Sequence, residues 1–126
     1  MSAAPKVLMM AGGTGGHVFP ALAVADELRA CGAEVVWVGT RAGLEAKLVP
    51  PAGYPMELIS IAGLRGKGAL SWFTAPVRLL KAIVQAVAIV RRTAPQVVVG
   101  MGGFASGPGG LAAWILRRPL VIHEQN

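Results

Sequence analysis

Short apolar runs alternate along this chain with longer segments in which apolar residues recur at helical spacing. The runs Lys6 to Met10, Glu34 to Gly39, Met56 to Ile61, Gln96 to Val99 and Leu120 to His123 predict β-strands. They are continuous rather than alternating, as expected of a sheet covered by helices on both faces. After the first run, Val18, Leu22, Ala25 and Leu28 recur at helical spacing, and Gly32 marks a stop near Cys31. Pro20 has no amide hydrogen and fits the first turn of that helix, which puts the helix start in or just after the preceding glycine loop. Further helices are predicted over Gly43 to Val49, Ser71 to Thr93 and about Gly109 to Leu116. Within the long one, Phe73, Val77, Leu80, Val84 and Val87 form a stripe read as core, and Arg78, Lys81, Gln85 and Arg92 form a polar stripe.

Strands alternating with helices require right-handed crossovers and a parallel sheet. The expected fold class is therefore α/β, a doubly wound, Rossmann-like domain filling residues 1–126 as one unit.

Composition supports one well-filled core: 54% of the 126 residues are hydrophobic and 14% are charged, far from the disordered class. The longest apolar helical segment, Ala82 to Val90, lies between Lys81 and Arg91 and falls short of the roughly 20 residues that span a bilayer. The opening MSAAPKVLMMAGG has no charged segment ahead of its apolar run and reads as a first strand rather than an export leader. Cys31 is the single cysteine, which fits a reducing compartment, and no Cys or His cluster has metal-ligand spacing.

The charge is unevenly placed. Met1 to Glu57 is nearly balanced, whereas Leu58 to His123 holds no acidic residue and eight basic ones. A surface built from that second half is positive and favours an anionic partner.

Two glycine-rich segments follow predicted strands. AGGTGGH, Ala11 to His17, opens the first helix; GMGGFASGPGG, Gly100 to Gly110, opens the last. In doubly wound folds ligands bind beyond the carboxyl ends of the strands, and backbone amides at a helix N-terminus there hold phosphate. No G-x-x-x-x-G-K-[ST] motif is present. The first loop has Val18 where a dinucleotide fingerprint needs glycine or alanine; the second matches as Gly100-Met-Gly102-Gly-Phe-Ala105, with Glu124 as ribose partner, and keeps a nicotinamide-dependent oxidoreductase open as the rival reading. In that second loop Pro108 with Gly109-Gly110 predicts a further turn where the fingerprint wants continuous helix. His17 and His123 both fall at strand ends, where histidine can move a proton or pair with phosphate, and the tail His-Glu-Gln-Asn concentrates polar groups after an apolar strand.

The segment GLRGKGALSWFTAPVRLLKAI joins Leu70, Trp72 and Phe73, expected in a glycine-flanked loop, to Arg65, Lys67, Arg78 and Lys81. Aromatic side chains beside basic ones suit an anionic lipid interface, with Trp114 a further candidate; the aromatics are too few for a nucleic-acid surface.

Together, AGGTGGHVFPALAVADEL, GLRGKG, GMGGFASGPGGLAAW and HEQN resemble the successive signatures of the MurG family, the GT-B glycosyltransferases of bacterial peptidoglycan synthesis. The resemblance implies transfer of N-acetylglucosamine from UDP-GlcNAc to undecaprenyl-pyrophosphoryl-MurNAc-pentapeptide (lipid I), giving lipid II with inversion and without a cofactor or metal. It implies that Thr14, Gly15, Gly16 and Asn126 meet the nucleotide sugar and that His17 is a base or phosphate ligand. Gly102, Gly103, Ser106, Gly107 and Gly109 would take the acceptor pyrophosphate. Leu70, Trp72, Phe73, Arg65 and Lys67 would seat the domain peripherally on the cytoplasmic face of the inner membrane. A GT-B enzyme has a second, donor-binding domain, so residues 1–126 are expected to be the acceptor-side, membrane-side domain, incomplete at its C-terminal end and inactive alone.

Overall fold

The computed structural model describes residues 4–60, 69–103 and 106–123, with the side chains of 69–73 outside the description. The five strands are β1 (Lys6–Met10), β2 (Glu34–Gly39), β3 (Met56–Leu58), β4 (Val97–Gly100) and β5 (Leu120–Ile122). They form one sheet in the order β3-β2-β1-β4-β5, with every pairing parallel. The helices are α1 (Gly15–Ala30), α2 (Glu45–Leu48), α3 (Ala69–Thr93) and α4 (Ser106–Ile115), with a 3₁₀ turn at Pro50–Ala52. This is the doubly wound α/β class expected, and strand order reverses between β1 and β4.

Alternate residues of the central strands feed two separate cores. Leu8, Met10, Val36, Val38 and Val98 pack with Ala82, Ala86, Ile89 and Val90 of α3 and Ala112 and Ala113 of α4. On the other face Val7, Met9, Val35 and Trp37 pack with Ala21 and Ala25 of α1 and with Tyr54. The expected α1 stripe is thus inward-facing, with Leu22 and Leu28 partly buried at its margin. Gly32, at φ +94°, ends that helix as expected.

Several boundaries differ from the pattern-based expectation. Strand β3 ends at Leu58 rather than Ile61, although Ile59 still donates its amide to the Gly39 carbonyl at 2.9 Å. Helix α1 begins at Gly15, so Pro20 lies in its second turn instead of its first. Helix α4 begins at Ser106, which places Pro108 in the first turn, where a missing amide costs nothing; the extra turn expected at Pro108 is absent. Leu70, Trp72 and Phe73 belong to the backbone of α3 and not to a loop before it.

The largest correction concerns the face that α3 buries. Val77, Leu80 and Val84 are 69%, 62% and 59% exposed, while Val87 alone of the described members of that stripe is partly buried against the core. The inward face is instead Ala82, Ala86, Ile89 and Val90, at i, i+4, i+7 and i+8. Small alanines let α3 approach the sheet closely and leave the bulkier residues outside. Of the polar stripe, Arg92 pairs with Glu57 at 2.7 Å and Gln85 accepts the Ser60 amide at 2.7 Å.

Candidate functional site

Both glycine loops leave the carboxyl edge of the sheet side by side, because β1 and β4 are hydrogen-bonded neighbours. Met101 donates its amide to the Met10 carbonyl at 2.8 Å, and Gly12 donates to the Gly102 carbonyl at 3.2 Å, so the loops are joined by main-chain bonds beyond the ends of the strands. Gly102 and Gly103 have φ of +107° and +97°, a region costly for other residues. A Cβ on Gly103 would also overlap the backbone of Gly12, so glycine here permits the contact between loops. The Ser106 hydroxyl lies 3.2 Å from the Met10 carbonyl and 3.0 Å from that of Gly102, fixing the start of α4 to both.

Around this junction lies a cavity of about 430 Å3, lined by His17 from the first loop, by Gly102, Gly103, Ser106 and Gly107 from the second, and by Met10, Ile122 and His123. His17 reaches it because α1 begins two residues earlier; its Nδ1 is buried and has no hydrogen-bond partner among the described residues. His123 is held by its amide, which donates to the Gly100 carbonyl at 2.8 Å. Among the described residues the cavity lining holds two histidines and no carboxylate, and α4 starts at it with Ser106 and Gly107. A helix N-terminus carries unpaired amides and about half a positive charge, so the cavity is suited to an anion with protonatable groups beside it.

The remaining expected residues divide. Thr14, Gly15 and Gly16 form the start of α1 but do not line the cavity; Gly15 faces Phe19 and Leu44, on the β2 side of the loop. Gly109 is buried at the contact of α4 with β1, where a Cβ would overlap the Met10 sulfur. Arg65, Lys67, Glu124 and Asn126 lie outside the described residues, as do the side chains of Leu70, Trp72 and Phe73. Trp114 is 71% exposed on α4, the helix that packs against α3.

One residue with a direct hold on the first loop escapes the sequence pattern. Glu45 is fully buried, and its carboxylate accepts the Gly13 amide at 3.0 Å and the Thr40 amide at 2.8 Å. The only trace of this in the sequence is the glycine at Gly39 and Gly43 shortly before it, which reads as ordinary loop composition.

The glycosyltransferase family 28 N-terminal domain model matches residues 7–126. The N-acetylglucosaminyltransferase of Nitrosococcus oceani named for N-acetylmuramyl-(pentapeptide) pyrophosphoryl-undecaprenol is 70% identical over 121 residues, 96% of this chain and 34% of its own. The same-named transferase of Alkalilimnicola ehrlichii is 61% identical over 120 residues, 95% of this chain and 34% of its own. The crystal structure of Acinetobacter baumannii MurG superimposes with a TM-score of 0.85 at 45% identity, covering 97% of this chain and 35% of that one. A Streptomyces glycosyltransferase complexed with thymidine diphosphate, at 22% identity and a TM-score of 0.70, shares the fold. The chain spans about a third of the length of the curated relatives it matches. None of these supports the nicotinamide reading of the second glycine loop. With its glycine loops, their junction and nearly its whole length matched, this chain belongs to glycosyltransferase family 28, as an N-terminal domain of that family.

Proposed function

We propose that residues 1–126 are the acceptor-side domain of an inverting enzyme that transfers N-acetylglucosamine from UDP-GlcNAc to lipid I, forming lipid II in peptidoglycan synthesis. The observation that carries this reading is the convergence of two amide-rich loops, bonded through Gly12 and Gly102, around a histidine whose Nδ1 has no partner among the described residues. The names of the relatives support the choice of donor and acceptor, and since the chain spans about a third of them the activity is that of the full-length enzyme.

In this reading the C4 hydroxyl of the muramoyl sugar attacks the anomeric carbon of the donor. The new C–O bond forms as the bond to the β-phosphate breaks, UDP departs, and the hydroxyl proton passes to a base. His17 is the candidate base or a ligand of the acceptor's phosphate. Gly102, Gly103, Ser106 and Gly107 offer the start of α4 to the acceptor pyrophosphate. Thr14, Gly15 and Gly16 meet the nucleotide sugar at the start of α1, and Asn126 its sugar. Fixed dipoles of this kind stabilise diphosphate charge without waiting for solvent to reorganise.

The same reading sets the domain peripherally on the cytoplasmic face of the inner membrane, against anionic phospholipid. Its support is the exposed row Val77, Leu80 and Val84 on α3 beside Arg78 and Lys81, with Trp114 on the adjoining helix.

Incubation of the full-length protein with labelled UDP-GlcNAc and a water-soluble lipid I analogue is expected to give labelled lipid II analogue, and His17→Ala to lower the rate by about 100-fold, as for loss of a general base. Absence of transfer together with tight NADP binding would sink the reading.

A further inference from the structure

Glu45 opens a helix of 4 residues at the rim of the sheet, yet it is entirely buried. One carboxylate oxygen, Oε1, accepts the Gly13 amide at 3.0 Å; the other, Oε2, accepts the Thr40 amide at 2.8 Å and lies 3.3 Å from the Thr40 hydroxyl. No cation pairs with it among the described residues. Its space is made by glycine from three places: a Cβ on Gly12, Gly39 or Gly43 would overlap its side chain.

A buried carboxylate without a cation is costly, and amide donors offset that cost only where every oxygen is used. Were packing the sole requirement, an apolar side chain of the same volume would serve at least as well. What the carboxylate does, and an apolar group cannot, is hold the β1–α1 loop with one oxygen and the β2–α2 loop with the other. Gly13 is in addition the neighbour of Gly12, whose amide is bonded to Gly102. A continuous series of hydrogen bonds therefore runs from Thr40 through Glu45 to the loop that reaches the second glycine segment.

We infer that Glu45 is a positioning residue for the diphosphate of the nucleotide sugar at the start of α1, beside the cavity rather than within it: by taking the Gly13 amide from behind, it fixes the left-handed Gly13 and leaves the amides of Gly15 and Gly16, which have no intrahelical acceptor, for the ligand. The inference rests on the diphosphate reading of the glycine loops. It also predicts a sign. The negative charge of Glu45 close behind the loop repels an anion, so its neutralisation alone tightens binding or leaves it unchanged, whereas loss of the loop's geometry weakens it.

The test is calorimetric titration of the full-length protein with inorganic pyrophosphate, beside hydrogen–deuterium exchange of peptides covering residues 10–18 and 38–46. In Glu45→Gln one oxygen is replaced by a donor that faces an amide donor, and pyrophosphate affinity is expected to fall about tenfold, the worth of one charge-assisted hydrogen bond. Exchange in both peptides rises while that of the β1 residues is kept. Gly43→Ala, which retains the charge but pushes the carboxylate aside, gives the same pattern and stands in if Glu45→Gln does not fold. Unchanged or tighter binding with unaltered loop exchange overturns the inference. If the wild-type protein does not bind pyrophosphate, the diphosphate reading is what fails, and the exchange data alone decide the role of Glu45.

Discussion

The Nδ1 atom of His17 is buried against Gly102, in the space where any other residue at position 102 would carry its Cβ. The imidazole of one loop thus occupies room that the other loop leaves vacant. Gly102→Ala is expected to push His17 from its place and to strain a backbone at φ +107°, at a stability cost of about 1–2 kcal/mol. In the full-length enzyme kcat for sugar transfer should fall at least about tenfold with the KM for the donor little changed, as when an interaction of the transition state is lost. Steady-state kinetics with wild-type kcat would remove His17 from the reaction.

Gly103 and Gly107 lie four positions apart and respond oppositely. Gly103→Ala sets a Cβ against the Gly12 backbone at φ +97°, and urea unfolding should show a loss of about 3 kcal/mol or more, since neither loop can retreat. Gly107 lies within α4, and a methyl group there would meet nothing within 4 Å among the described residues, so Gly107→Ala is expected to gain up to about 1 kcal/mol from helix propensity. Equal effects at the two positions would mean that the loops do not touch.

How far such features are legible in a sequence depends on whether they are local. Strand runs, the Gly32 stop and the two loops are local, and all five strands and the stop are found within a few residues of where the pattern places them, although β3 is shorter and α4 begins earlier than it predicts. The burial of α3 is not local. Val77, Leu80 and Val84 have the spacing of a core stripe, and only the sheet beneath shows that Ala82 and Ala86 face inward. Glu45 is hidden for the same reason: its partners Gly13 and Thr40 come from different loops, and burial of a carboxylate leaves no periodic mark. His17 and Ser106 are legible because each sits within a glycine motif at a strand end.

Tyr54 offers a pH-dependent probe of the opposite face. Its phenol donates to the Asp26 carboxylate and lies beneath the Arg29 guanidinium, 4.3 Å from the ring centroid. Burial first, and the Asp26 hydrogen bond second, push its pKa up to about 12 from 10.0. Well below pH 10 the phenol is protonated in both folded and unfolded chains, so its contribution to stability is fully present and does not vary with pH. Between about pH 10 and pH 12 only the unfolded chain loses the proton, so stability should fall by roughly 2–3 kcal/mol across that window. Tyr54 is the single tyrosine, so tyrosinate absorbance reads it directly, and Asp26→Asn should lower the midpoint without bringing it fully to 10.0. A wild-type midpoint near 10.0 would contradict the buried, bonded phenol.

The exposed row on α3 can be altered without touching the core. Val77→Ser with Leu80→Ser removes side chains that are 69% and 62% exposed, so stability should change by no more than about 0.5 kcal/mol. If the row seats the domain on the membrane as proposed, flotation of the full-length protein with vesicles containing anionic phospholipid should weaken about tenfold or more, from the apolar area no longer buried there. Undiminished flotation would assign the row to another partner.

The pairing of β1 with β4 sets the order in which this domain can acquire its site. Lys6 is bonded to Gln96 across 90 residues, and the register Val7 to Val97 through Met10 to Gly100 closes only when that length of chain is available. Closing so long a loop is slow and is rewarded late, after β1, α1 and β2 have been able to associate locally. On a translating ribosome the first glycine loop therefore emerges long before the strand that completes its surroundings, and the cavity between the two loops is among the last features of the domain to mature.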